Sequence, residues 1–248
     1  AQTLLMPGCR YLDTDAPVIN SLNSMTGYQP VKFQKSADAT KLAACFPVLR
    51  YAEILLAYAE AKAELGTITQ AELDRSVNLI RARVGMPAIS LLETYGGADR
   101  LMESYYPNVP ASKYKGIILE IRRERTIELA LEGRRQWDIM RWHEGARIGN
   151  TDSKIQGLYI PAPGLIDLNG DKEPDVELYT SSPVQSSVKA LKIGTDIILS
   201  EGTRGHVVAF DGECLPEEEW DEDRDYLWPI PASEFRVPGC RLLQNYGY

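Results

Sequence analysis

The chain has 248 residues, of which 44% are hydrophobic and 25% charged. That composition supplies a core for one large or two small domains and excludes disorder as the default. The net charge of −8 is uneven, because residues 151–248 carry 18 acidic against 8 basic side chains and leave residues 1–150 at +2. Phosphate-backbone binding draws on clustered Lys and Arg, so nucleic acid is not an expected partner. No segment approaches the roughly 20 apolar residues of a membrane-spanning helix.

Residues 1–46 carry turn signals at Pro7-Gly8, Gly27 and Pro30 without a sustained period, which predicts an irregular lead-in with short strands. The opening AQTLLMPGCRYLDTD lacks the basic-then-apolar pattern of a secretion signal. A helical scaffold is expected over 47–145. Pro47 opens VLRYAEILLAYAEAKAEL, rich in Ala, Leu and Glu, and Gly66 is a typical stop. Its predicted apolar face includes Tyr51, Leu55, Tyr58 and Ala59. A second helix is predicted over QAELDRSVNLIRARV, with Leu73, Val77, Ile80 and Val84 at helical spacing and Gly85 and Pro87 closing it. The two read as a tetratricopeptide-like pair, and a lone pair leaves a face that should stack on something else.

Residues 86–114 read as a long loop around Tyr95-Gly96-Gly97 and Tyr105-Tyr106-Pro107. A further helix is predicted from about Tyr114 to Glu132, a joint at Gly133, and a shorter helix from Arg134 to Glu144. Over 146–248 helical patterns give way to loops and short strands at LYIPAP, DIILS, HVVAF and YLWPIP. The expected fold class is therefore mainly α, with an irregular, loop-rich C-terminal part. Cys9, Cys45, Cys214 and Cys240 form no CxxC pair, so neither a zinc ribbon nor a thioredoxin-type motif is indicated; free thiols and up to two disulfides both remain open.

On the third helix, charged residues share a face with apolar ones: Ile118, Ile121, Arg125, Glu128, Leu129 and Glu132 follow at steps of three or four. One reading is catalytic, with Glu124 and Glu128 or Glu132 as the paired carboxylates of a glycoside hydrolase. The other is a structural network, because Arg122, Arg123, Arg125, Arg134 and Arg135 lie nearby and buried carboxylates need partners. So many arginines should hold the carboxylates ionised with lowered pKa values, whereas a general acid needs a raised one; the network reading is favoured. Trp137 and Trp142, interleaved with Ile139 and Met140, are expected as core anchors.

The string EIRRERTIELALEGRRQWDIMRW, Glu120 to Trp142, closely resembles the hallmark of the SusD/RagB family of outer-membrane glycan-binding lipoproteins. LRYAEILLAYAEAKAELG, NLIRARVGMP, YLWPIPASEF and the closing LLQNYGY resemble further family segments in the same order. The resemblance runs from about Leu49 to Tyr248 and matches the C-terminal half of the family's fold. It implies a nutrient-binding protein without catalysis, at the cell surface and outer membrane, that delivers glycan to a SusC-like TonB-dependent transporter. It also implies a missing N-terminal half carrying a lipidated cysteine, the first tetratricopeptide-like pairs and many ligand-contacting aromatics. A helical-repeat adaptor that binds only protein is the third reading.

DLNGDKEPD places Asp167, Asn169, Asp171 and Asp175 at the alternating spacing of a calcium-wrapping loop and resembles the DxNGDxxxD calcium loops of repeat proteins. It is not an EF-hand, and a solvated Asn-Gly turn explains the same residues. For a sugar, aromatic platforms beside polar groups are needed; Tyr95, Tyr105 and Tyr106 are the candidates, with Tyr11 and Tyr28 behind them. The acidic run EEEWDEDRD, Glu217 to Asp225, reads as solvated surface with Trp220 unexplained. His143 and His206 have no nucleophile motif nearby, and there is no GxSxG, HExxH or phosphate-loop signature.

Overall fold

The computed structural model describes residues 5–7, 26–30, 32, 48–95, 97, 99–145, 156–168, 170–184, 187–208 and 220–248. Two compact units emerge: Pro47–Asn150 with Glu217–Tyr248, and Gln2–Phe46 with Thr151–Pro216. Among the described residues, every α-helix lies in the first unit and every β-strand in the second.

The first unit starts with α1, Tyr51–Glu64, three residues after the predicted start. It stops where Gly66 turns left-handed (φ +65°) and Thr67 N–H reaches the Lys62 carbonyl at 2.9 Å, closing the orphan carbonyls of the last turn. Gly66 is needed twice over, since a Cβ there would also sit 3.0 Å from the Tyr114 ring. The buried face of α1 is Leu56, Ala59, Glu60 and Ala63, so the predicted stripe is rotated: Tyr51 is 72% exposed and Leu55 only half-buried. The predicted second helix is broken in two, α2 (Gln70–Asp74) and α3 (Val77–Arg83). Ser76 sits at the break and turns its hydroxyl back onto the Glu72 carbonyl, competing with the helical ladder.

Thr69 and Glu72 form a reciprocal capping box at the start of α2. Residues 86–114 are not a bare loop as expected but hold two short helices, α4 (Leu91–Tyr95) and α5 (Arg100–Tyr105), the latter capped by Asp99 through a 2.8 Å bond from Leu101 N–H. Asn78 pins the approach to α4, accepting from Ile89 N–H at 2.7 Å and donating to the Ile89 carbonyl at 3.1 Å.

The long helix α6, Lys115–Glu128, ends four residues before the predicted Glu132; Leu131 and Gly133 both take positive φ before α7, Arg135–Trp142. α1 packs chiefly on α6 and less on α3. α6 approaches the end of α4 at Gly116, where a Cβ would stand 2.2 Å from the Thr94 carbonyl oxygen. Leu56, Leu73, Val77, Ile117, Leu119 and Ile121 fill the core between these helices.

In the second unit β1 (Leu5–Pro7) pairs antiparallel with β2 (Tyr28–Pro30), and β3 (Gln156–Ile160) antiparallel with β7 (Gly205–Val208). A three-stranded sheet joins β4 (Gly164–Ile166) antiparallel to β5 (Val176–Tyr179), which runs parallel to β6 (Lys189–Lys192). Ile160, Val176, Leu178, Leu191 and Val207 form its core. The expected strands at LYIPAP and HVVAF are present, whereas DIILS makes only isolated bridges and YLWPIP none.

Glu72 accepts from Lys62 Nζ at 2.8 Å, from the Thr69 backbone at 2.9 Å and from the Tyr58 hydroxyl at 3.2 Å, and these hold its carboxyl down at about 2, against an ordinary 4.5. A depressed folded-state pKa contributes stability that is present above the unfolded value and lost as pH falls. Between pH 4.5 and about 2 the urea midpoint of the native chain should therefore drop more steeply than that of Glu72→Gln. Parallel slopes would remove Glu72 from the acid response.

Candidate functional site

The charged face of α6 is satisfied almost entirely from within the first unit. Arg125 Nε donates to both Asp138 oxygens at 2.8 and 2.7 Å, and both side chains are buried. Arg141 grips Glu60 through both terminal nitrogens, with Trp142 Nε1 adding a 2.6 Å bond to the same carboxylate. Burial is the largest single influence and opposes the Arg141 charge, but its hydrogen bonds to Glu60 and Asp138 and their negative charges together outweigh it and raise its pKa. Arg122 meets Glu144 at 3.2 Å and Glu64 at 3.5 Å while lying 4.6 Å over the Trp142 ring. Its pKa is lowered, because desolvation exceeds the pull of Glu64, Glu144 and Glu60. Arg50 ties the start of α1 to Glu128 at 2.9 Å and Glu132 at 2.7 Å.

The Glu124 side chain is 7% exposed and engaged by Arg81, and Glu128 is shared by Arg50 and Arg83. The expected lowering at Glu124 is corrected: burial raises its pKa and outweighs the neighbouring Arg81 charge.

The tyrosines expected to meet ligand are dispersed. Tyr95 ends α4 at 36% exposure, edge-on to Tyr114 at 5.8 Å, with Lys113 Nζ 5.8 Å from its ring. It borders a cleft of about 510 Å³ whose other walls include Ile89, Leu91 and Leu92. Tyr105 ends α5 at 39% exposure. Tyr106 is corrected to the core: it is 2% exposed, stacks edge-on against Trp142 at 5.5 Å, and its hydroxyl meets Thr126 at 3.0 Å and Arg135 at 2.8 Å. Tyr28 is half-buried in β2 of the second unit, and Tyr11 lies outside the described residues.

Trp137, expected in the core, is 69% exposed, because α7 buries Asp138, Ile139 and Trp142 on its other side. The pairing of a buried Arg125 with Asp138 fixes that face, a long-range fact that interleaved apolar residues do not reveal. Trp220 is explained: its ring lies against Gly145, where a Cβ would come within 2.0 Å, and edge-on to Tyr226 at 5.1 Å.

In the loop 167–175, Asp167 accepts from Gly170 N–H at 2.7 Å and Lys172 N–H at 2.8 Å, Asp171 from Glu173 N–H at 2.8 Å, and Asp175 from Leu168 N–H at 2.7 Å. Asn169 lies outside the described residues, and among those described no three His, Cys, Asp or Glu side chains converge as a metal site would need. Cys240 is a free thiol, and the other three cysteines lie outside the described residues.

A sequence profile of the SusD family matches residues 9–248, and the chain belongs to that family. No curated protein matches the chain. Among solved structures, it is similar to a SusD-like protein from Bacteroides fragilis NCTC 9343, with 24% identity over 91% of this chain and 31% of that one at a TM-score of 0.49. It is also similar to a SusD-like carbohydrate binding protein from the same strain, with 23% identity over 92% of this chain and 38% of that one, again at 0.49. The chain thus spans well under half the length of either structure.

Removing the Asp138 carboxylate would leave the Arg125 guanidinium buried without its counter-charge, a loss of about 3–5 kcal/mol for a buried pair. Asp138→Ala should lower the stability of the intact chain by that order in urea unfolding. A change near zero would show that Arg125 is not held by this pair.

Proposed function

We propose that this chain is part of a cell-surface, non-catalytic glycan-binding protein that delivers oligosaccharide to a SusC-like TonB-dependent transporter of the outer membrane. The match of the family profile to residues 9–248 carries this reading. The burial of Glu124 and its engagement by Arg81 support binding without hydrolysis. Tyr95, beside its apolar cleft and next to Lys113, is the sugar platform of this proposal, with Tyr105 on the neighbouring helix.

In this proposal α1 with α2–α3 is a tetratricopeptide-like helix pair. A groove of about 460 Å³ between Tyr51, Leu55, Leu79 and Ile80 leaves apolar surface uncovered. The missing N-terminal half of the family fold is the proposed occupant. Calcium at Asp167, Asn169, Asp171 and Asp175 rests on the oxygen spacing of the loop alone.

Titration of the chain with a panel of soluble oligosaccharides, followed by a reducing-end assay, should give saturable binding and unchanged glycans. Tyr95→Ala should weaken binding on the order of 2- to 10-fold, as loss of an aromatic contact worth roughly 0.5–1.5 kcal/mol implies. Release of reducing ends would overturn the reading in favour of a glycoside hydrolase. Absence of glycan affinity, together with co-purification of a protein partner, would favour an adaptor.

For calcium, melting in excess ion should exceed melting in chelator by the linkage expected of a ligand bound only to the native state, about 2.7 kcal/mol at one hundred times Kd. Asp171→Asn should abolish the difference. Identical melting curves would remove calcium from the proposal.

A further inference from the structure

One arginine at the joint between α6 and α7 carries a charge that the described residues do not answer. Arg122, Arg123, Arg125, Arg134 and Arg141, on the same two helices and at their joint, each meet at least one carboxylate. Arg135, the first residue of α7, is half-buried yet meets none among the described residues. Its Nη1 instead donates to the Tyr106 hydroxyl at 2.8 Å and to Thr126 Oγ1 at 3.0 Å, with the guanidinium carbon 5.5 Å from the Tyr106 ring. The Thr126 hydroxyl donates to the Arg122 carbonyl at 2.8 Å, so in its 3.0 Å contact with Tyr106 it accepts. Both N–H bonds of Nη1 are thus used, one on each oxygen. Two neutral hydroxyls, one of them on a tyrosine in the core, fix the guanidinium plane and leave its charge unmatched.

The opposite edge is open. In a planar guanidinium Nε–H and the adjacent N–H of Nη2 point the same way, as a fork that donates to both oxygens of one carboxylate. Neither nitrogen bonds a described residue, and neither is shut off from water. In this they differ from Arg122 Nε and Arg125 Nη1, which are buried without partners. A guanidinium held by its far nitrogen presents the fork already oriented, so less freedom is lost when an anion docks. A planar anion with two oxygens fits that edge, whereas a sugar hydroxyl offers it a single oxygen and no charge. Tyr106 directly follows Tyr105, so a ring assigned above to the glycan surface is the chain neighbour of the ring that orients Arg135.

We propose that Arg135 selects for acidic glycan, its Nε and Nη2 binding the carboxylate of a hexuronic acid side-on. The proposal rests on the glycan-binding reading above and names the substrate class for it.

Calorimetric titration of the intact chain with oligogalacturonate and oligoglucuronate, each beside its methyl ester, tests this, because the ester keeps the ring and its hydroxyls but cancels the charge. The native chain should bind at least one acid form about tenfold or more tightly than its ester, as a charge-assisted bidentate contact implies. Arg135→Lys keeps a positive charge without the fork. Both it and Arg135→Gln should bring the acid form down to the affinity of the ester and leave ester binding at the native level. Equal affinity of the native chain for acid and ester would overturn the inference with no variant needed. So would an acid preference that survives in Arg135→Lys. Equal loss of acid and ester binding in both variants would mark Arg135 as structural and overturn it too. A native chain that binds neutral oligosaccharides and no oligouronate would overturn the inference while the glycan-binding reading stands. Binding of no glycan at all would overturn both.

Discussion

The helical unit depends on the cost of burying arginine. Arg122 and Arg125 are both nine-tenths or more out of water, and Arg141 joins them at the same seam. An isolated buried charge is costly by several kcal/mol, so each guanidinium demands a carboxylate from a different element: Glu60 from α1, Asp138 from α7, Glu144 from the turn that follows α7. These pairs act as registration pins. Sliding α1 along α6 by one turn would strand the buried Glu60 carboxylate away from Arg141 and Trp142, a larger penalty than a shift of apolar contacts alone. Aromatic faces complete the arrangement, with Trp142 donating to Glu60 while its ring lies under Arg122.

Close backbone approach is the second constraint, and it operates at few places. Gly116 lets α6 pass the end of α4, and Gly145 lets the Trp220 ring lie on the chain just after α7. The second contact brings the acidic C-terminal segment onto the helical unit, where the Tyr226 hydroxyl accepts from Gly145 N–H at 2.8 Å. Burial raises the Tyr226 pKa, so the hydroxyl stays protonated and keeps its donation to Glu222. An aromatic residue inside a charge run is thus an anchor, and the Asp221, Glu222 and Asp223 that follow it lie at the surface.

Much of the helical unit was legible because its signals are local: Ala/Leu/Glu-rich runs, Gly66 and Gly85 as stops, and the Arg-Glu pattern of α6. What was not legible depends on partners distant in sequence. α1 turns Leu56 inward instead of Leu55 because Glu60 must reach Arg141 and Trp142, 81 and 82 positions away. The Ser76 break is a side-chain competition that periodicity does not register. Parallel pairing of β5 with β6 has no local signature, and Trp137 reads as core until Asp138 is known to face Arg125. At the candidate site, the pattern of tyrosines identified exposed rings at Tyr95 and Tyr105 but also Tyr106, whose hydroxyl is held by Arg135 and Thr126 in the interior.

The cost of burying charge also limits what Glu124 can do. Burial raises its pKa toward that of a general acid, and on pKa alone it would be the residue to watch. Yet catalysis needs the acid within hydrogen-bond reach of a glycosidic oxygen, and the desolvation that perturbs Glu124 is produced by the protein packed around it. Arg81 occupies the carboxylate that remains. In a hydrolase the raised pKa comes from a pocket that the substrate completes; here it comes from a core that is already closed. A perturbed carboxylate marks a site only when the cause of the perturbation leaves room for a ligand, and at Glu124 it does not.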